Sequence, residues 1–221
     1  MDNVCNCPNN AGGKITLLII TLFAILSTME TMTYSDYKKL LRGPLGRYYK
    51  GRWKYLKEVI SIINGTRPKS VLEIGPAQES VVTGCDIMMK PEDDMWGRPR
   101  IKAPKEYLHD ATEKPWPIKD KQYDLVIALQ VWEHLDHKQT LAFRELVRVA
   151  KMAILSLPYK WKCPKNSSNY PAHHLIDEEL IGDWTLNVKP QKIIKIARSG
   201  PALDKGPRII YFWNFSNQTK V

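Results

Sequence analysis

Residues 70–77 read Ser-Val-Leu-Glu-Ile-Gly-Pro-Ala, a short apolar run that contains one acid and ends in glycine and proline. Apolar residues at successive positions are typical of a strand that is buried on both faces of a parallel sheet. Gly75 permits a tight turn and a close approach of the backbone to a ligand. Glu73 stands inside the apolar run, so its carboxylate needs a partner once it is buried. The stretch therefore predicts a buried strand that leads into a ligand-binding turn.

Further short apolar runs follow along the chain, separated by polar or helical connections. They are Val81–Ile87, Glu106–Leu108, Tyr123–Leu129 and Met152–Leu157. Leu141, Leu146 and Val149 give an apolar face to a crossover helix of about 12 residues, and two last strands, 192–197 and 208–215, can pair antiparallel. The pattern predicts an α/β, Rossmann-like fold: a mostly parallel sheet with an antiparallel final strand, in three α/β/α layers with some helices reduced.

Helices are also predicted on either side of this region. Trp53, Leu56 and Ile60 share one face of a helix predicted over residues 46–63, which Asn64-Gly65 would end. Asp177 is expected to cap a short helix that runs through Gly182.

The composition fits one folded domain with a basic surface. The chain has 221 residues, 43% of them hydrophobic and 25% charged, which excludes disordered and fibrous classes. The net charge of +10 favours contact with acidic small molecules, anionic lipid or nucleic acid.

The cysteines do not predict a metal site. Cys5 and Cys7 form a Cys-x-Cys at the N-terminus, and neither they nor Cys163 has zinc-site spacing to His173 and His174. Cys85 is expected to be an ordinary buried thiol.

The N-terminal segment has the pattern of a targeting sequence. Residues 15–29 carry no charge and follow Lys14. As a helix they would span about 22 Å, short of a bilayer core of ~30 Å, so residues 1–33 are predicted to be a targeting segment or membrane anchor. The protein would then be membrane-associated. It would be cytoplasmic if Met29 or Met32 is the working start and residues 1–31 are not part of the mature chain.

Two sequence features indicate on which side of the membrane the folded domain would lie, and they point to opposite sides. Eight basic residues without an acid lie between Lys38 and Lys57, which favours a cytoplasmic location. Four Asn-x-Ser/Thr sequons favour a lumenal one.

Acidic and small residues follow the predicted strands, where open α/β sheets bind their ligands. Asp86 ends the second predicted strand, Asp110 follows the third, and Gln130 follows the fourth. An acid after the second strand can accept hydrogen bonds from ribose hydroxyls, and one after the third can accept from an adenine amino group. Together these positions predict an adenosine pocket.

Five motifs stand in an order that resembles the class I S-adenosylmethionine-dependent methyltransferases of the methyltransferase-11 type, over roughly residues 68–158. They are VLEIGPA, GCDI, LHDAT, PWPIKDKQYDLVIALQVWEHL and FRELVRVAKMAILSLPY. The resemblance implies S-adenosylmethionine as cofactor and a methyltransferase-like domain over residues 34–221. It also implies these cofactor-binding roles: Glu73, Gly75, Pro76 and Ala77 in the methionine-side loop, Asp86 at the ribose, Asp110 and Ala111 at the adenine, and Gln130 beside the methionine part.

The chain departs from that pattern in its first crossover. The family's first loop usually carries several glycines before a helix, whereas this chain has GPAQES. Asp86 follows Glu73 by 86 − 73 = 13 positions, where dinucleotide-type sites have ~20. The first crossover helix is therefore predicted to be shortened, and Asp86 need not be the ribose acid.

Methyl transfer from a sulfonium depends mainly on positioning of the acceptor, and His134 is the nearest candidate for a general base. The expected acceptor is a small molecule, a glycan or a lipid-linked compound, with membrane association possible through residues 15–29. Nucleic acid is not the expected acceptor, because only the charge and the loop YKWKCPK point to it. The alternative function is an inactive Rossmann-like module that binds a partner or an anionic surface. The sequence indicates no oligomeric state.

Overall fold

The computed structural model describes residues 29–91, 102–162, 173, 175–200 and 206–216. The helices are Tyr34–Arg42 (α1), Gly46–Tyr49 (α2), Trp53–Thr66 (α3), Gln139–Val149 (α4) and Glu178–Trp184 (α5). The strands are Val71–Ile74 (β1), Asp86–Met89 (β2), Glu106–Leu108 (β3), Tyr123–Leu129 (β4), Ala150–Pro158 (β5), Lys192–Ile196 (β6) and Arg208–Asn214 (β7). A 3-10 turn, Trp132–His134, follows β4.

The seven strands form one sheet in the order β3-β2-β1-β4-β5-β7-β6. Strands β1 to β5 are parallel to one another, and β7 pairs antiparallel with both β5 and β6. The strand order reverses between β1 and β4, which is the place where such sheets bind ligands. The predicted fold class is therefore confirmed.

Alternate residues of the central strands pack against helices on opposite faces of the sheet. Leu125 and Ile127 of β4 join a cluster with α3, whereas Val126 and Ala128 join a cluster with α4. Strands that are covered on both faces are apolar at nearly every position, and the buried Glu73 of β1 is an exception. Three layers result, and the carboxyl ends of the strands are left open at one edge.

Two of the predicted elements are wrong. The helix predicted over 46–63 is two helices, α2 and α3, separated by a turn in which Gly51 has φ +83°. The strand predicted over Val81–Ile87 begins only at Asp86. Val81 and Val82 are buried although they precede the strand, so their apolar character reports burial and not strand pairing.

Residues 29–33 fasten the start of the described chain to the link between β1 and β2. The Met32 amide donates to the Val81 carbonyl at 2.8 Å, and the Thr83 amide donates to the Glu30 carbonyl at 2.7 Å. Thr31 and Val82 form an antiparallel bridge. The division of the chain at residues 33 and 34 stays a prediction.

The anchor prediction falls mostly on residues 1–28, which lie outside the described part of the chain. Within the part that is described, no helix has the length and apolar character needed to cross a bilayer. Cys85 is 2% exposed, which agrees with the prediction of a buried thiol.

Candidate active site

A cleft of about 230 Å³ opens at the carboxyl ends of β1, β2, β3 and β4. Its lining residues follow the strand ends: Ile74 and Gly75 after β1, Met88 and Lys90 at the end of β2, His109 to Thr112 after β3, and Val131, His134, Leu135, Asp136 and Lys138 after β4. The cleft therefore occupies the edge of the sheet, next to the switch in strand order, that the sequence indicated.

Gly75 forms the floor of this cleft. Its φ is +58°, and its amide donates to the Met88 carbonyl at 2.9 Å. A Cβ atom at this position would lie 2.9 Å from Cγ2 of Val131, closer than real Cβ contacts come. The turn after β1 and the turn after β4 are thus in close contact, and only glycine fits between them without a shift.

Asp110 and Ala111 form the wall that follows β3. Asp110 Oδ1 accepts a hydrogen bond from the Thr112 amide at 2.8 Å, and Oδ2 lies 3.3 Å from Lys90 Nζ. Burial alone would raise the pKa of Asp110, but the hydrogen bonds from Thr112 and Lys90 outweigh it and hold the pKa below its usual value. The carboxylate is therefore ionised at neutral pH and ready to accept further hydrogen bonds.

Asp86 lies at the start of β2, whereas the cleft lies at the carboxyl ends of the strands. It is the first residue of β2, and its carboxylate accepts a hydrogen bond of 2.6 Å from the Tyr123 hydroxyl. Of the described residues, those that line the cleft do not include Asp86, and Lys90 follows the end of β2 instead. The misplaced strand boundary explains this difference in position, and the ribose role of Asp86 stays a prediction.

Glu73 is 3% exposed and lines a second, smaller cavity of about 30 Å³ together with Ala77. Its Oε2 accepts a hydrogen bond of 2.8 Å from the Val81 amide. Burial raises the pKa of Glu73 to about 7. The Glu73 side chain thus binds the short link between β1 and β2. Pro76 is also buried.

Replacing Glu73 by Gln should make the stability of the protein less dependent on pH. Because the folded-state pKa lies above the ordinary value of 4.5, the folded protein holds a proton that the unfolded chain releases. The free energy of unfolding of the wild type therefore falls as pH rises from about 4.5 to about 7. Glu73→Gln keeps an acceptor for the Val81 amide, and we expect it to be about 1–3 kcal/mol more stable than wild type at pH 8 and nearly equal at pH 4.5.

Urea unfolding at both pH values measures this difference. Glu113→Gln, at an exposed position, is the matched control and should shift stability equally at the two pH values. If Glu73→Gln were less stable than wild type at pH 8, the buried carboxyl would not carry the predicted penalty.

Gln130 connects β4 to β5 and β7. Its φ is +60°, its Nε2 donates to Ser156 Oγ at 3.2 Å, and its Oε1 accepts from Arg208 Nε at 3.0 Å. Gln130 is not among the described residues that line the cleft. Its predicted place beside the methionine part of the cofactor stays a prediction.

His134 lies at the cleft and is exposed to solvent there. Protein atoms around the rest of the ring desolvate it and lower the pKa of His134. The ring is therefore neutral near pH 7 and can accept a proton. This is what its predicted role as a base requires, although the role itself stays a prediction.

Sequence reasoning missed the residue next to it. Glu133 is 3% exposed. Burial raises the pKa of Glu133 to about 8, and the charges of Arg208 and Arg52 offset part of that effect. His173 Nε2 lies 3.7 Å from Glu133 Oε1. The only sequence signal was the Glu-His pair directly after a strand, and its partner lies far along the chain.

Tyr159 and Trp161 are the aromatic residues of the loop YKWKCPK, and neither side chain is fully exposed. Trp161 is 5% exposed and donates through its indole nitrogen to the Pro207 carbonyl at 2.6 Å. The Tyr159 hydroxyl donates to Glu178 at 2.7 Å. His174 and Cys163 lie outside the described residues.

Comparison with known proteins agrees with this geometry. Residues 68–153 match the family profile described as methyltransferase domain, Methyltransf_11. The fold is similar to the N-methyltransferase NodS from Bradyrhizobium japonicum, with 13% identity, a TM-score of 0.54, and 75% of this chain and 96% of that chain covered. It is also similar to the PH0226 protein from Pyrococcus horikoshii OT3, with 14% identity, a TM-score of 0.53, and 75% and 90% covered.

These structural likenesses concern the fold alone, because the identities are low. No curated protein sequence matches the chain. The family match and the sheet order agree with the resemblance seen in the sequence, and they imply S-adenosylmethionine as the cofactor. Residues 68–153 match the methyltransferase domain family, and the chain has the fold of the class I S-adenosylmethionine-dependent methyltransferases.

Proposed function

We propose that this protein transfers a methyl group from S-adenosylmethionine to an acceptor that reaches the cleft on its His134 side. One observation carries the proposal: a backbone turn at Gly75, with no room for a side chain, forms the floor of a cleft whose wall is Asp110 and Ala111. A flat floor of backbone next to an ionised acid suits a ligand that combines an adenosine with a polar amino-acid tail.

The residues present fit such a cofactor on two of its sides. The Gly75 turn would hold the methionine side, where a Cβ atom would fill the space. Asp110 would accept a hydrogen bond from the adenine amino group, and buried Ala111 would pack beside the ring. At the end of β2, where a ribose-binding acid is usual, Lys90 would meet the ribose side instead.

The bound cofactor would supply an electrophilic methyl group on a positively charged sulfur with a neutral leaving group. The protein's own task is then to position the acceptor for in-line attack, which can account for much of the rate. His134, desolvated and neutral, would accept the proton of a hydroxyl or amine acceptor. The acceptor would be a small molecule, a glycan or a lipid-linked compound.

The alternative of an inactive binding module predicts a cleft filled by Gln78, Glu79 or Met88. Among the described residues, Met88 lies in the wall of the cleft, whereas Gln78 and Glu79 do not line it. This arrangement favours a cleft that accepts a ligand.

Calorimetric titration of the full chain with S-adenosylhomocysteine tests the proposal. We expect binding of one equivalent with a Kd in the micromolar range (~10⁻⁶ M, about −8 kcal/mol). Absence of heat at high micromolar ligand would reject the methyltransferase proposal and favour the inactive module.

A further inference from the structure

The carboxylate of Glu133 is buried without a hydrogen bond to neutralise it. Its side chain is 0% exposed. Neither oxygen has a hydrogen-bond partner within the described part of the chain. A buried carboxylate in this state is costly, because desolvation penalises the charge unless a donor or a cation compensates for it. The charges of Arg208 and Arg52 compensate for this cost in part, and a cation bound to the carboxylate oxygens would compensate for it further.

Two imidazole rings stand beside this carboxylate. The rings of His134 and His173 are 4.8 Å apart between centroids and almost perpendicular, at 78°. One donor atom from each of Glu133, His134 and His173 lies within 4.8 Å of the others. The three side chains come from two separate parts of the chain, the 3-10 turn after β4 and the segment after β5.

The position of His173 is fixed by an aromatic neighbour. Trp161 stacks on the His173 ring with centroids 5.4 Å apart and an angle of 17° between the planes. Trp161 is itself held by its bond to the Pro207 carbonyl. A ring held in this way loses little conformational entropy when it binds a ligand, so the His173 donor is preorganised.

The donor set decides which cation would fit. Two imidazole nitrogens and one carboxylate oxygen suit divalent transition metals such as Zn²⁺, Mn²⁺ and Co²⁺. Mg²⁺ and Ca²⁺ prefer sites made of oxygen atoms alone. A divalent ion would also add to the partial compensation that Arg208 and Arg52 give to the Glu133 carboxylate.

We propose that Glu133, His134 and His173 bind a divalent transition-metal ion beside the cleft. Three protein ligands leave at least one coordination position for another molecule, as in catalytic zinc sites. Because His134 also lines the cleft, that molecule can be a methyl acceptor whose hydroxyl oxygen binds the ion and releases its proton to solvent more readily. With the ion bound to His134, the metal and not the imidazole promotes this deprotonation. This last step rests on the proposed methyltransferase function, whereas metal binding does not.

Titration of the chelator-treated full chain with ZnCl₂ in a calorimeter tests metal binding directly. We expect one equivalent to bind to the wild type, and at least tenfold weaker binding to Glu133→Gln and to His173→Ala. The matched control is His137→Ala, an exposed histidine three positions after His134, which should bind like the wild type. Co²⁺ should produce a visible absorption band in the wild type that Glu133→Gln does not give.

Two results would overturn the metal site. One is no Zn²⁺ binding by the wild type, and the other is equal Zn²⁺ affinity in the wild type, Glu133→Gln and His173→Ala, which would assign the ion to other residues. His173→Ala keeps the test decisive if Glu133→Gln does not fold, as judged by circular dichroism. Titration with S-adenosylhomocysteine is a separate measurement, so failure of the metal site can be told from failure of the proposed function.

Discussion

Gly75→Ala should weaken the binding of S-adenosylhomocysteine at least tenfold. The new Cβ atom would lie 2.9 Å from Val131 Cγ2, so the Val131 side chain, the turn after β1 or the turn after β4 has to move. Both turns line the cleft, and any of these movements displaces the surface on which the methionine side of the ligand would lie. The positive φ adds a backbone cost of about 1–2 kcal/mol. Calorimetric titration gives the ratio of the two dissociation constants.

A variant at a second glycine distinguishes the effect of the steric clash from the effect of backbone strain. Gly84 has φ +72°, and a Cβ atom there would meet nothing within 4 Å. Gly84→Ala should therefore lose stability through strain alone and bind the ligand as the wild type does. Adding Val131→Ala to Gly75→Ala removes the clashing methyl groups and should recover part of the affinity. Equal affinities for Gly75→Ala and Gly84→Ala would contradict the assignment of the floor.

Trp213→Ala should lower the free energy of unfolding by about 3–5 kcal/mol. The indole is 0% exposed near the end of β7, and it contacts Phe143 of α4 with ring centroids 5.4 Å apart. Its nitrogen donates to the Val188 carbonyl at 2.8 Å. Removal of the ring leaves a cavity between the sheet and α4 and deprives that carbonyl of its donor.

Trp213→Phe serves as the matched control. It keeps an aromatic ring against Phe143 but removes the bond to Val188, so it should cost only about 1–2 kcal/mol. Chemical unfolding followed by circular dichroism measures both variants. A loss for Trp213→Ala no larger than that for Trp213→Phe would mean that the space around the ring collapses, and that the antiparallel strand depends on other contacts.

The bounds of the central strand β4 could be predicted from the sequence, whereas those of β2, which follows the short crossover, could not. β4 begins and ends where its apolar run predicts, because its residues are covered on both faces. The short edge strand β3 also has the predicted bounds. Val81 and Val82 are as apolar as a strand, but they are buried under residues 29–33 instead of pairing in the sheet. A local pattern records that a residue is buried, and it does not record what covers it.

The same distinction explains which site residues could be found. Gly75, Asp110 and His134 follow strands whose ends were predicted closely, and all three line the cleft. Asp86 was assigned by a strand boundary that was wrong, so its side chain points to Tyr123 instead. Glu133 gave no signal of its own, because its significance depends on His173, which only the folded chain brings near.

The attachment of residues 29–33 matters for anyone who produces a shortened form of this protein. A chain begun at Met32 would lack the carbonyl of Glu30 that holds the Thr83 amide, and it would lack the bridge from Thr31 to Val82. The link that this attachment covers leads directly from the Gly75 turn to β2. A shortened form should therefore begin upstream of Met29. A later start would remove contacts to the link between β1 and β2 and so destabilise the segment that follows the Gly75 turn.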